Sequence, residues 1–301
     1  MEKQYRQQVA LLLSVLPEVA KEKCFALHGG TAINLFVRDM PRLSVDIDLT
    51  YLPIEDRDTS IGNIADALSR IKSNIEKVIS GVRISSRPDA GKLLISVNNA
   101  NVKLEVNLVN RGALGEPQEM PLCEKAQTSF EAFTKMPVVS IGQLYGGKIV
   151  AALDRQHPRD LFDVKYLQDK EGFTPEIKEG FLLCLLCSDR PINEVIHPNF
   201  QNQRSALENQ FSGMTDEAFS YDEYENTREN LAKIIHNNLT DKDKNFLLSL
   251  KNATPDWGIY DFHRFPSINW KLQNLQRLKE INPSKHKEQY DRLERKLKKD
   301  F

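Results

Sequence analysis

Residues 27 to 49 constrain the fold more than any other part of this chain. Leu27-His28-Gly29-Gly30-Thr31 sets a small-residue turn ahead of a helical stretch, and Ser44-Val45-Asp46-Ile47-Asp48-Leu49 then alternates polar with apolar. Successive side chains of a strand point to opposite faces, so Asp46 and Asp48 share one face while Val45, Ile47 and Leu49 share the other. The apolar trio can be buried, which leaves both carboxylates on an open face. At ~7 Å apart along a strand, two carboxylates can share a hard divalent cation. The glycines let backbone N–H groups approach a phosphate at the start of a helix.

The length of 301 residues favours two domains. With 40% hydrophobic and 28% charged residues, a sizeable core in a water-soluble protein is expected. The net charge of -1 excludes a general polycation, so any nucleic-acid contact needs a local basic patch. Cys24, Cys123, Cys184 and Cys187 are scattered, as reduced thiols of a cytoplasmic protein would be. Cys184 and Cys187 lie in the apolar run 181–187 without a second ligand pair, which favours buried structural cysteines over a zinc or redox site. No secretory leader and no membrane-spanning run is expected.

Periodicity predicts a helix from Gln4 to Leu16, ended or kinked at Pro17, and a strand over Phe25–His28. A helix over Thr31–Val37 and the aspartate strand over Leu43–Tyr51 follow. Next comes an amphipathic helix, Ile61–Ile79, with Ile64, Leu68, Ile71, Ile75 and Val78 inward. Lys92–Val97 and Val102–Val109 form a hairpin around Asn98-Asn99-Ala100-Asn101. Alternation in the second hairpin strand puts Lys103, Glu105 and Asn107 on its polar face. An antiparallel pairing with the aspartate strand would set Glu105 beside Asp46 and Asp48. Residues 111–137 read as loop, and the remainder as helices, including Ile141–Arg155 and one beginning at Asp160. The class is α+β, with a domain of residues 1–137 and a mainly helical domain of residues 138–301.

Each candidate group has a plainer rival. An isolated Asp-x-Asp is usually a cap and a surface ion pair; here Arg42 and Ser44 precede it on the same strand face, which favours a metal. Gly29, Gly30 and Thr31 make an ordinary turn unless they stand between strand and helix, where the N–H groups of Gly30 and Thr31 would face a phosphate. Lys148 lies on an apolar helix face, where it must snorkel or meet an anion, and Arg155 lies on nearly the same face. Asp160 could cap its helix and Asp163 be a surface acid. At i,i+3 they share a face, and one could instead accept a proton or hold Lys148 and Arg159 in place. The aromatic group Trp257, Tyr260, Phe262, Phe265 and Trp270 favours packing over RNA stacking, and the basic tail suits either phosphate contact or a solvated helix. The six histidines show no paired metal spacing.

Together these segments resemble the AbiEii/AbiGii nucleotidyltransferase-like toxin family, a branch of the DNA polymerase β-like nucleotidyltransferases. The resemblance rests on residues 27–32, 42–49, Glu105, Lys148 to Arg155, Arg159 to Asp163, and 265–272. It implies a nucleotidyltransferase-type mixed sheet with flanking helices, plus a helical C-terminal domain contributing to an active-site cleft. It implies a toxin of a bacterial toxin–antitoxin or abortive-infection system, with an antitoxin as partner and nucleotide transfer to tRNA 3′ ends in some relatives. On this reading Asp46, Asp48 and Glu105 hold one or two Mg²⁺ ions. Gly29, Gly30, Thr31, Arg42, Ser44, Lys148 and Arg159 bind the nucleoside triphosphate, and Asp160 supports the chemistry. The rivals are transfer to a small molecule or a protein hydroxyl, and a catalytically silent nucleotide-binding module.

Overall fold

A computed structural model describes residues 1–298; the last residues of the expected basic tail, Lys299 among them, lie outside the described residues. The chain divides into two compact units, Met1–Leu144 with Glu208–Ala218, and Tyr145–Leu207 with Phe219–Phe301.

The first unit is built on a seven-stranded sheet. Its elements are α1 (Lys3–Val19), β1 (Phe25–His28), α2 (Gly29–Ala32), β2 (Asp46–Tyr51), α3 (Arg57–Val78), β3 (Arg83–Arg87), β4 (Lys92–Val97), β5 (Ala100–Val106), β6 (Gln118–Pro121), α4 (Glu124–Phe130) and β7 (Lys135–Val138). The strand order is β3-β4-β5-β2-β1-β7-β6. The sheet is mixed: β2 pairs antiparallel with β1 but parallel with β5. The expected antiparallel pairing of β2 with β5 is therefore wrong in direction, though the strands are neighbours. A long crossover through α3 separates them, which a parallel pair requires, and the tight β4–β5 hairpin takes the antiparallel pairing.

Burial follows the alternation. Ile47, Leu49, Leu93, Ile95, Val102, Leu104 and Val106 are all buried, together with Val9, Leu12, Leu13 and Leu16 of α1 and Ile64, Leu68, Ile71 and Ile75 of α3. Val78, expected inward, is 57% exposed in the last turn of α3. Pro17 lies inside α1, which runs on to Val19. Pro17 is on the exposed side, while Val15, Leu16 and Val19 are buried and hold the last turn in place.

Several boundaries shift for local reasons. The aspartate strand starts at Asp46, because the Leu43 N–H is bonded to the Met214 carbonyl. Helix α3 starts at Arg57, capped by Asp56, whose carboxylate accepts from the Thr59 N–H at 2.9 Å. Strand β5 stops at Val106, where the Asn107 side chain accepts from the N–H groups of Val109 and Asn110. The hairpin turn is only Asn98-Asn99, with Asn98 left-handed at φ 50°. The supposed loop 111–137 contains β6, α4 and β7, and β7 joins the sheet beside β1. Gln118–Pro121 escaped notice because it is an exposed edge without alternation.

Helix α5 (Ile141–Asp154) begins in the first unit and continues into the second. The second unit then holds α6 (Pro158–Lys170), α7 (Pro175–Cys187), α8 (Ile192–Val195), α9 (Arg204–Ala206), α10 (Tyr221–Asn238), α11 (Asp241–Lys251), α12 (Pro266–Ile281) and α13 (Pro283–Lys298). Gly146, unusual inside a helix, has a packing cause, whereas at Gly147 a Cβ would meet only Cys184 Sγ at an ordinary 3.7 Å. A Cβ on Gly146 would lie 2.2 Å from the Gly180 carbonyl carbon, so α5 and α7 meet backbone to backbone there. Phe246, Phe262, Phe265, Tyr260 and Trp257 make a ring cluster, with Phe246 edge-on to Tyr260 and Phe262 and tilted to Trp257, Phe262 edge-on to Phe265, and Tyr260 stacked on Phe262, whereas Trp270 is 61% exposed. Cys184 and Cys187 are free thiols, and burial raises the pKa of both. Among the described residues, no helix is long and apolar enough to cross a membrane.

Candidate active site

The first unit's site grows from the sheet register. His28 stands opposite Asp48 across β1 and β2, and Asp48 stands opposite Glu105 across β2 and β5. Directly opposed residues of neighbouring strands project to the same side, so His28, Asp48 and Glu105 form one row, with Asp46 two residues along. Asp46 and Asp48 are half-buried, while Ile47 and Leu49 between and beyond them are fully buried.

The glycine turn is fitted against this row. Gly29 is left-handed at φ +74°, and a Cβ there would sit 2.6 Å from Asp48 Oδ2. A Cβ on Gly30 would meet Arg42 Nη2 at 2.9 Å and Ser44 Oγ at 3.0 Å. At Gly29 the left-handed backbone favours glycine, and at either position an added side chain would have to push aside the ends of Asp48, Arg42 or Ser44. The buried Thr31 hydroxyl donates to the Asp46 carbonyl at 2.5 Å and lies 3.0 Å from Ser44 Oγ. Thr31 thus ties the helix start to the aspartate strand. The first N–H groups of a helix have no acceptor within it, which leaves those of Gly29 to Thr31 without intrahelical partners. Asn34 closes the turn by donating to the Gly30 carbonyl at 2.9 Å, and the helix then widens into a π turn over Ile33–Val37.

Glu105 is engaged by two lysines. Lys92 and Lys103 each approach its carboxylate at 2.8 Å. Burial disfavours its charge, but the hydrogen bonds from Lys103 and Lys92 outweigh this and hold its pKa below the ordinary value. The Lys103 ammonium is stabilised first by Glu105, against burial, and further by the charges of Asp46 and Asp48. Lys92 and Lys103 were not among the expected site residues. Lys103 lies on the polar face of the alternation that singled out Glu105, whereas Lys92 reaches Glu105 from the neighbouring strand through the hairpin register, which alternation within one strand does not reveal. Among the described residues, no three acidic, histidine or cysteine side chains converge as a metal centre. Asp46 and Asp48 nevertheless suit a hard cation: two adjacent oxygen donors on an open face, one seated against a glycine that leaves no room for a side chain.

The second unit holds a different arrangement. Lys148 on α5 donates to Asp160 at 2.8 Å and lies 3.1 Å from Asp163, and all three side chains are at most 6% exposed. Arg155 completes the group, with Nε 2.6 Å and Nη2 3.0 Å from Asp160. Burial alone would raise the Asp160 pKa; Lys148 and Arg155 reverse that and hold it well below the usual carboxylate range. Asp160 does not cap α6. His157 does, its Nδ1 accepting from the Arg159 N–H at 3.1 Å. The arginine held by the aspartates is thus Arg155, while Arg159 is half-buried and its guanidinium makes no ion pair among the described residues.

The comparisons with known proteins agree with this fold. The family model "Nucleotidyl transferase AbiEii toxin, Type IV TA system" matches residues 10–274. Among solved structures, the chain is similar to MenT4, a nucleotidyltransferase toxin from Mycobacterium tuberculosis H37Rv. That match has a TM-score of 0.59 and 13% identity, and covers 90% of this chain and 93% of that one. At that identity the likeness is one of fold. No protein of curated function matches. With a family model spanning most of its length and the glycine turn and aspartate strand in register, the chain belongs to the AbiEii family of nucleotidyl transferase toxins of type IV toxin–antitoxin systems.

Proposed function

We propose that this nucleotidyltransferase moves a nucleoside monophosphate from a nucleoside triphosphate to the 3′ end of tRNA in a Mg²⁺-dependent reaction in the cytoplasm. The observation that carries the reading is the seating of the Asp48 carboxylate against Gly29, with Asp46 beside it on an open sheet face. The acceptor hydroxyl oxygen forms a bond to the α-phosphorus, the α–β anhydride bond breaks, and pyrophosphate leaves with that bond's electron pair. When bound, Mg²⁺ supplies the positive charge that steadies the attacking and leaving oxygens.

The chain's own residues divide the remaining work. Asp46 and Asp48 would hold the metal, and Glu105, whose carboxylate Lys92 and Lys103 engage, would have to be released by them to serve as the third carboxylate or to draw the proton from the acceptor hydroxyl. Gly29, Gly30 and Thr31 present backbone N–H groups to the phosphates, with Arg42 and Ser44 behind them. Lys148 and Arg159 offset triphosphate charge. Asp160, buried and shared by Lys148 and Arg155, supports an orienting role over proton transfer, because its carboxyl resists protonation. An antitoxin is the partner that the family implies.

The test is label transfer. Wild type is incubated with Mg²⁺, each α-labelled nucleoside triphosphate in turn, and total tRNA, with Asp48→Ala alongside. Label on tRNA that disappears in the variant is expected. Label on protein or on a small molecule instead would overturn the tRNA assignment but keep the metal site. Absence of label everywhere, together with no Mg²⁺-dependent thermal stabilisation by a triphosphate, would favour a silent module.

A further inference from the structure

The open face of the sheet does not end at Glu105. Glu105 stands opposite Lys92 on β4, and Lys92 stands opposite Arg87 on β3, the edge strand. A second row runs from Asp46 through Lys103 and Leu94 to Ser85, and Arg83 lies two residues further along the edge. Opposed residues share a face, so Arg83, Arg87, Lys92 and Lys103 lie on the same side of the sheet as the two aspartates. The alternate residues Leu93, Ile95, Val102 and Leu104 are buried beneath them.

This face is exposed and mainly cationic. The side chains of Lys92 and Lys103 are each 45% exposed, and Arg83 and Arg87 are exposed. Between the aspartate strand and the sheet edge it carries four cations against a single carboxylate, in a chain whose net charge is -1. Glu105 engages the two lysines, but neither Arg83 nor Arg87 makes an ion pair among the described residues. Arg87 stands three strand steps from Asp48, ~14 Å at the usual spacing between strands. A lane of that length exceeds what one triphosphate needs. Leu94, 47% exposed, sits among the cations as the one large apolar contact. No aromatic residue stands on β3 or β4 for bases to stack upon.

We propose that this face is a track for the single-stranded 3′ end of the RNA acceptor, with Arg83 and Arg87 each contacting a backbone phosphate and the terminal hydroxyl lying toward the aspartates. The assignment rests on the proposed RNA-acceptor reading and adds to it the surface that binds the acceptor. Recognition on such a face is by phosphate charge, tolerant of sequence and steeply dependent on salt. The plainer role for charges on an edge strand is to prevent edge-to-edge pairing. That role places no demand on a salt-dependent interaction with RNA.

The test uses the full-length protein and a short, labelled single-stranded RNA ending in a 3′ hydroxyl, read by fluorescence anisotropy over a salt series. Wild type is compared with Arg83→Gln/Arg87→Gln and with Arg83→Lys/Arg87→Lys. Each single-strand phosphate contact contributes a slope of about 0.7 in log affinity against log salt, so losing two should flatten it by about 1.4. Between about 50 and 200 mM salt, wild type should then lose about sevenfold more affinity than the glutamine variant, and the lysine variant should follow wild type. Triphosphate binding, read by thermal shift with Mg²⁺, should be equal in all three. Unchanged RNA affinity and slope in the glutamine variant would overturn the track. Loss of binding to an antitoxin, with RNA binding intact, would overturn it also and give the face to a protein partner. If the RNA slope behaves as expected but no label reaches tRNA, the track stands and the tRNA transfer reading fails. If label reaches tRNA equally in wild type and the glutamine variant across the salt series, that reading stands and the track fails.

Discussion

Two clusters of charge, one in each unit, are built on opposite principles. Asp46 and Asp48 are half-buried like charges on an open sheet face, with a glycine pressed against one of them. Lys148, Asp160, Asp163 and Arg155 balance two cations with two carboxylates, and three of the four are almost wholly buried. Within the balanced cluster every charge faces an opposite one. Its partners offset the loss of water, and its first task is to fix where α5 and α6 present their side chains. The aspartate pair repels itself, and a bound cation would relieve that repulsion. Removing a member of the balanced cluster should therefore damage the fold, and removing Asp46 or Asp48 should damage the chemistry and spare the fold.

Asp160→Asn should show the largest effect. It leaves the buried Lys148 ammonium with one carboxylate rather than two, and a broken buried pair costs on the order of 3–5 kcal/mol. Chemical denaturation checks this. The pH dependence gives a second check. The folded-state pKa of Asp160 is depressed, so its contribution is fully present above the unfolded value near pH 4 and is lost as pH falls below it. The stability gap between wild type and variant should be constant at neutral pH and shrink below about pH 4. A gap that persisted unchanged into acid would show that the cluster is not the source.

Asp48→Ala should do the reverse. Transfer should fall by about 10²–10³-fold, the scale seen when one group that stabilises transition-state charge is removed. Stability should change by less than about 0.5 kcal/mol, as for most positions outside a packed core. A large loss of stability would place Asp48 in the same class as Asp160 and erase the contrast.

The two clusters were also unequally legible. The aspartate face followed from alternation alone, because a strand's period of two fixes which side chains travel together. Its neighbour Glu105 was found by the same rule. The direction of the β2–β5 pairing was not, since alternation is blind to whether a neighbour runs parallel. In the second unit, a lysine on an apolar helix face signalled an anion but not which one. Arg155 rather than Arg159 turned out to be held by Asp160, because helix periodicity gives a shared face within one helix and says nothing of reach to the next. The edge strand β6 was missed because Gln118–Pro121 buries almost nothing.

Glycines extend the comparison at smaller scale. Gly146→Ala should cost the second unit about 1–3 kcal/mol or more, because a Cβ would run into the rigid backbone of Gly180 rather than a side chain that can turn aside. Thermal unfolding monitors it. A neutral result would mean that α5 and α7 can separate there at no cost.

Gly29→Ala tests the aspartate site through its backbone. The left-handed conformation costs an alanine about 1–2 kcal/mol, and its Cβ would displace the Asp48 carboxylate, which a flexible side chain permits. Transfer should fall by more than the stability loss accounts for, because the carboxylate moves while the sheet stays. The fitting reference is Gly62 in the exposed middle of α3, where a Cβ would meet nothing within 4 Å. Gly62→Ala should stabilise the chain by about 0.5–1 kcal/mol through helix propensity alone and leave transfer unchanged. If Gly29→Ala lost only stability, with transfer intact per folded molecule, the contact between the glycine turn and Asp48 would serve the fold and not the reaction. The line drawn between the two clusters would then have to move, with the turn counted among the parts that hold the sheet and only the carboxylates left to the chemistry.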